Sequence, residues 1–70
     1  MKLPLNVEPS TTRGDYVGYG AGYVWRISSR GSGRGWNAWQ NLRVHPELQS
    51  HQLRVYVGRT LADIASKLGA

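Results

Sequence analysis

The C-terminal segment 60–69 limits the fold most, because it carries one apolar stripe at helical spacing. The apolar residues recur at i, i+3, i+4 and i+7, and they are Leu61, Ile64, Ala65 and Leu68. Thr60 followed by Asp63 predicts the start of the helix, since a threonine hydroxyl accepts hydrogen bonds from N–H groups that lack a partner inside the helix. Lys67 lies in the last turn, where the helix dipole favours a cation, and Gly69 is placed to end the helix. A helix of about ten residues is not stable alone in water, so the stripe must pack against an apolar surface elsewhere in the chain.

Alternating residues upstream of this helix predict the sheet that offers the surface. From Gly22 the chain alternates between one face with Tyr23, Trp25 and Ile27 and another with Val24, Arg26 and Ser28. Residues 29–35 are rich in glycine and predict a hairpin loop. Residues 36–43 then form the returning strand, and residues 53–58 form a third strand.

The same alternation divides the second and third strands into two faces each. In the second strand one face carries Trp36, Ala38, Gln40 and Leu42, and the other carries Asn37, Trp39, Asn41 and Arg43. Which of these two tryptophans faces the core is left open. In the third strand we expect one face with Leu53, Val55 and Val57, the two valines packing under the helix, and an outward face with Arg54 and Tyr56. Residues 44–52 predict a connection with one helical turn at 46–48.

The predicted fold is α+β, a three-stranded antiparallel sheet with one C-terminal helix packed on one face. Residues 16–70 form this single small β-β-β-α domain, and residues 1–15 form a flexible N-terminal arm. Leu3, Leu5 and Val7 alternate within the arm, so an edge strand there is left open. The Tyr/Gly-rich residues 18–22 are expected to be a flexible lead-in, because no Lys-Ser/Thr pair and no helix follow them as in a phosphate-binding glycine loop.

The charge of the chain indicates an anionic partner. Of 70 residues nine are Lys or Arg and four are Asp or Glu, which gives a net charge of +5. All but two of the cations are arginines, which fork onto phosphate or carboxylate and stack on flat rings. A genome that favours arginine codons would produce the same bias without such a partner, and this alternative stays open. The sequence has no cysteine, no signal peptide and no apolar run of membrane-spanning length, so a soluble cytoplasmic protein is expected.

The polar residues do not predict an enzyme. No Ser/His/Asp or Lys/acid spacing stands out, and the acids are scattered at Glu8, Asp15, Glu47 and Asp63. His45 and His51 are the two histidines, and no Cys or paired acid joins them. We therefore expect no catalytic residues, no metal site and no cofactor.

Three features of segment 22–68 together resemble a known family. They are the strand 23–27, the Trp-bearing second strand 36–39 that follows a Gly/Arg tip, and the strand 54–58 that runs directly into the helix at 60–65. This arrangement resembles the sheet-reading DNA-binding domains of phage-type integrases, where they bind arm sites, and of plant ethylene-response factors. The resemblance implies three antiparallel strands backed by one helix, a free sheet face that enters the major groove, and an origin in a phage, plasmid or other mobile element.

The outward face of such a sheet supplies the candidate binding residues. Arginine and asparagine reach guanine and adenine edges, tryptophan and tyrosine stack on bases, and arginines at a loop tip contact phosphates. The candidates are Arg26, Arg30, Arg34, Asn37, Trp39, Asn41, Arg43, Arg54 and Tyr56. The alternative is that these polar residues only solvate an exposed sheet, with Trp39 and Tyr56 packing across strands.

The sequence therefore predicts a small, basic, non-enzymatic protein that binds nucleic acid, most simply duplex DNA, through this face. An alternative is a phage-type protein that inhibits or adapts a host protein, with Trp36, Trp39 and the tyrosines as an anchoring patch and the arginines as its rim. A homodimer formed through an uncovered sheet edge or the N-terminal arm is a third alternative.

Overall fold

The computed structural model describes residues 3–48 and 53–69, which form one antiparallel sheet and one helix. The strands are β1 (Val7–Pro9), β2 (Tyr16–Gly20), β3 (Tyr23–Ser29), β4 (Trp36–Gln40) and β5 (Val55–Gly58), and the helix is α1 (Leu61–Gly69). The strands lie in the order β1-β2-β3-β4-β5, so each pairs with its neighbour in the chain. The α+β class is confirmed, but the expected count of three strands is wrong, because the sheet has five.

The two additional strands are β1 and β2, which precede the predicted sheet. Strand β2 pairs with β3 through a two-residue turn, in which Gly20 lies opposite Tyr23. Ala21 and Gly22 occupy this turn with φ values of 54° and 81°, as a type I′ hairpin requires. Alanine is an unusual residue at such a φ, so the sequence lacks the Asn-Gly or Asp-Gly signal that would have predicted the hairpin.

The glycines of β2 also made this strand difficult to predict from the sequence, although the packing of α1 requires glycine at these positions. A Cβ atom added to Gly20 would lie 2.1 Å from the carbonyl oxygen of Leu68, and one added to Gly18 would lie 2.6 Å from the Leu68 side chain. Glycine weakens a strand and therefore predicts a loop, but here it allows α1 to approach the sheet.

The division of the chain at residue 15 stays a prediction. In the structure Asn6 links the N-terminal segment to α1, because its side-chain amide donates to the carbonyl oxygen of Ala65 at 3.2 Å.

The predicted helix is confirmed, including its start. The backbone N–H of Asp63 donates to the Thr60 hydroxyl at 3.1 Å, and the N–H of Arg59 donates to the Asp63 carboxylate at 3.3 Å. The first bond makes Thr60 the N-cap of the helix, and the second ties the residue before the cap to the first turn. The apolar stripe is buried against the sheet as expected: Leu61, Ile64, Ala65 and Leu68.

The core lies between α1 and the face of the sheet that it covers. Trp25 and Ile27 of the central strand are completely buried, and the Trp25 indole N–H donates to the carbonyl oxygen of Gly20 at 2.8 Å. Trp36 lies on this covered face and is partly buried, with its ring 5.5 Å from that of Tyr16. Trp39 lies on the other face. The host-protein hypothesis placed Trp36 and Trp39 in one patch, and this part of it is wrong because the two rings lie on opposite faces.

Strand β5 has its faces reversed relative to the prediction. The register pairs Val55 with Trp39 and Val57 with Asn37, which places both valines on the face away from α1. Tyr56 instead lies under α1, where its ring packs 5.2 Å from that of Trp25. The large aromatic ring fills more of a small core than a valine would, and a period of two cannot by itself say which face is inward.

The connection after β4 begins with two turns. The N–H of His45 donates to the carbonyl oxygen of Asn41 at 2.9 Å, and the N–H of Leu48 donates to that of His45 at 3.1 Å. Strand β4 therefore ends at Gln40, three residues earlier than expected. The remainder of the connection, including His51, lies outside the described residues.

Candidate nucleic-acid interface on the open sheet face

The sheet face opposite α1 carries three of the nine predicted binding residues, Arg26, Asn37 and Trp39, and we call it the open face. Its members alternate with the residues buried under α1, and the strand register aligns them across the sheet. They are Glu8, Val17, Tyr19, Val24, Arg26, Ser28, Asn37, Trp39, Val55 and Val57. Helix α1 does not cover this face, which is therefore the main candidate for contact with a partner.

Arg26 and Trp39 form the centre of the open face. They are directly paired across β3 and β4, and the Arg26 guanidinium lies 5.6 Å from the centre of the Trp39 ring. The Arg26 side chain is 54% exposed, and Asp15 lies 3.9 Å from one of its nitrogens. The Trp39 ring and the Asp15 carboxylate both favour this position of the guanidinium, and a side chain that is more than half exposed keeps N–H donors accessible to a partner.

A shallow cavity of about 350 Å³ adjoins this pair on the side of the β1–β2 loop. Arg26, Asn41 and Arg43 line one part of it, and Ser10, Thr11 and Thr12 of the loop line another. The Asn41 side chain accepts a hydrogen bond from the Arg43 N–H at 3.0 Å, which fixes the turn that carries both residues. Two guanidinium groups, an amide and three hydroxyl groups make this cavity suited to an anionic, hydrogen-bonding ligand.

Glu8 is the one described carboxylate in the wall of that cavity, and it has a partner within the protein. The Tyr19 hydroxyl donates to Glu8 at 2.6 Å. This hydrogen bond, with the negative charge of Glu8, raises the pKa of Tyr19 above its ordinary value. Because Glu8 is engaged by Tyr19 and Asp15 by Arg26 and Ser28, the acids at the open face already have partners.

A second basic group lies at the opposite end of β4, where the β3–β4 loop meets the start of α1. We call it the end cluster, and it consists of Arg30, Arg34, Arg59 and Lys67. These four side chains surround a cavity of about 440 Å³ together with Val57, Gly58 and Asp63. The sequence predicted Arg30 and Arg34 as binding residues but not Arg59 and Lys67. Lys67 was considered only as part of the helix, and Arg59 only as part of the segment that leads into it.

The structure brings together seven of the nine predicted site residues at these two places. Arg26, Asn37, Trp39, Asn41 and Arg43 lie on or at the edge of the open face, and Arg30 and Arg34 lie in the end cluster. Tyr56 is a correction, because it lies under α1 and packs on Trp25. Arg54 is exposed but precedes β5, and its N–H donates to the Gln40 side chain at 3.1 Å.

Several contributors to the open face were not predicted. Val17 and Tyr19 come from β2, which overlaps the predicted flexible lead-in at residues 18–22, and Val55 and Val57 come from the reversed strand β5. The alternation of Tyr16, Gly18 and Gly20 with Val17 and Tyr19 was the signal that could have found β2.

Other kinds of site find no support in the part of the chain that the structure describes. Residues 3–48 and 53–69 contain no group of three or more His, Cys, Asp or Glu side chains that could hold a metal ion. Within the same ranges, α1 is too short to cross a membrane. His45 has a structural partner, since its Nε2 atom accepts a hydrogen bond from the Val24 N–H at 2.9 Å.

Comparison of the chain with protein-family models, with curated proteins and with solved structures finds no match. The resemblance to sheet-reading DNA-binding domains therefore stays a prediction.

Proposed function

We propose that this chain is a non-enzymatic protein that binds nucleic acid, DNA in the first instance, through its open face. The observation that carries the proposal is the Arg26–Trp39 stack, which lies at the centre of the sheet face that α1 does not cover, with the Arg26 side chain more than half exposed. Arg43 and Asn41 extend this pair on one side and Asn37 on the other. The net charge of +5 favours an anionic partner of this kind.

The residues have separate roles in this proposal. Arg26 and Arg43 contact phosphates or guanine edges, since the guanidinium fork suits both. Asn37 and Asn41 supply the amide donors and acceptors that read a base edge, and Trp39 offers a ring on which a base stacks. We also propose that the protein acts in the cytoplasm, where it meets such a ligand.

Fluorescence anisotropy with labelled DNA tests this function directly. We expect binding at low salt that weakens about tenfold or more between roughly 50 and 200 mM salt, because each neutralised phosphate releases a counterion. The double variant Arg26→Gln/Arg43→Gln should bind about 10- to 100-fold more weakly. Arg13→Gln is the matched control, since Arg13 is exposed but lines neither the cavity beside Arg26 nor the one at the end cluster, and it should bind like the parent protein. No binding at low salt would contradict the proposal.

A second candidate function is binding to a host protein, and one observation favours it. Val55 and Val57 are 59% and 43% exposed, and they lie beside Trp39 and Asn37 on the open face. An apolar patch with an aromatic centre and an arginine rim is typical of protein interfaces. If Trp39→Ala abolished capture of a host protein while Arg26→Gln and Arg43→Gln retained it, this second function would replace the first.

A further inference from the structure

We infer that the ligand of the open face is single-stranded nucleic acid, which lies along β4 from the end cluster to Arg43. This inference rests on the proposed function and adds the form of the ligand and its path. Two observations carry it, namely the width of the sheet and the position of the basic residues at its two ends.

The width of the sheet argues against the major groove of a duplex. Neighbouring strands lie about 4.8 Å apart, so five strands span about 19 Å between the outer backbones, whereas the major groove of B-DNA is about 12 Å wide. Three strands would span only about 10 Å and would fit. Arg26 lies on the central strand, two strands from either edge, so the edges meet the duplex backbone before Arg26 reaches a base. A single strand has no groove to enter and presents its bases directly to a flat face.

The basic residues define a path that a single strand would follow. The end cluster contains Arg30 and Arg34, which lie just before β4, and Arg43 lies just after it. Strand β4 has five residues, which span about 17 Å at about 3.4 Å per residue. Asn37 and Trp39 lie between the two basic ends and point to the open face. In this path the strand has phosphate contacts at both ends of β4 and a base stacked on Trp39 between them. Such an arrangement is typical of single-strand binding.

Arg59 and Lys67 strengthen the end cluster at the β5 edge. The Lys67 ammonium donates to the carbonyl oxygen of Val57, which holds this cation at the β5 edge of the sheet. Asp63 is the one acid among the described residues around the cavity, and it already accepts from the Arg59 N–H. Four cations and one carboxylate therefore leave a net positive charge where the strand would begin its path.

Anisotropy with two probes of the same base composition, a single-stranded DNA of about 16 nucleotides and its duplex, tests the inference. We expect the single strand to bind at least tenfold more tightly than the duplex at low salt. Trp39→Ala should weaken single-strand binding about 5- to 100-fold, and Trp39→Phe should restore most of it because a ring remains for stacking. Circular dichroism of each variant verifies that the fold is retained.

The path through the end cluster has its own readout. Each phosphate contact on a single strand contributes about 0.7 to the slope of log affinity against log salt, so Arg30→Gln/Arg59→Gln should lower that slope by about 1.4. Arg13→Gln should leave it unchanged.

The outcomes separate the two proposals. Equal or tighter binding of the duplex would overturn the single-strand inference and leave the nucleic-acid function standing. Absence of binding to both probes would overturn the function and the inference with it. Tight single-strand binding with an unchanged salt slope in Arg30→Gln/Arg59→Gln would overturn the path.

Discussion

On the covered face, β2, β4 and β5 each place at least one small residue under α1, whereas the neighbouring residues on the open face are large. Gly18 and Gly20 of β2, Ala38 of β4 and Gly58 of β5 lie under the helix. Their neighbours on the open face include Tyr19, Trp39 and Val57. A helix can approach a sheet closely only where side chains are absent or short, and the open face has no helix that imposes this limit. The small residues lie where α1 comes closest to the sheet, and the large rings of Trp25 and Tyr56 fill the core beside them.

The largest expected effect comes from emptying the covered face. Ile64 is completely buried, so Ile64→Ala should lower the free energy of unfolding by about 3 kcal/mol through lost burial and the cavity left behind. Val55→Ala is the matched change on the open face, where the side chain is 59% exposed, and should cost less than about 0.5 kcal/mol. Urea denaturation measures both, and equal losses would show that the two faces do not differ in this way.

A smaller but more specific effect comes from filling the covered face. In Gly20→Ala the new Cβ would lie 2.1 Å from the Leu68 carbonyl oxygen, which is backbone, so α1 must move. We expect a loss of about 2 kcal/mol in the free energy of unfolding. Gly69→Ala is the control, because a Cβ there meets nothing within 4 Å. A neutral Gly20→Ala would mean that α1 does not approach β2 as closely as described.

The smallest effect sharpens the comparison at the hairpin that joins β2 to β3. Ala21 has a φ of 54°, a conformation that is unfavourable for most L-residues but tolerated by asparagine. Ala21→Asn should therefore stabilise the protein by about 0.5 kcal/mol, seen as a rise of a few degrees in Tm. A lower Tm would contradict the type I′ turn.

The C-terminal part of the fold was accessible from the sequence because local signals agree there. The apolar spacing of α1, the Thr60–Asp63 cap and the alternation of β3 are each sufficient without knowledge of the rest of the chain. Strand β2 could not be predicted from the sequence. Its glycines locally predict a loop, and the reason for them is contact with a helix that lies about fifty residues away in the sequence. The faces of β5 depended on the same long-range packing, which placed Tyr56 inward and both valines outward.

The candidate site was predictable to the extent that it lies on β3 and β4. Arg26, Asn37 and Trp39 have the orientation that simple alternation gives, because the strands that carry them pair in register. The contributions of the β1–β2 loop and of Arg59 and Lys67 required the tertiary fold, which brings distant segments to the two ends of β4.

The central claim is that the open face binds nucleic acid, while the covered face only packs against α1. An NMR titration that follows the indole N–H signals of the tryptophans tests this claim most directly. Trp39 lies on the open face and Trp25 is buried beneath α1. On addition of a single-stranded oligonucleotide, the account predicts that the Trp39 signal moves progressively and that the Trp25 signal stays in place. Movement of the Trp25 signal without the Trp39 signal, or movement of neither, would contradict the account.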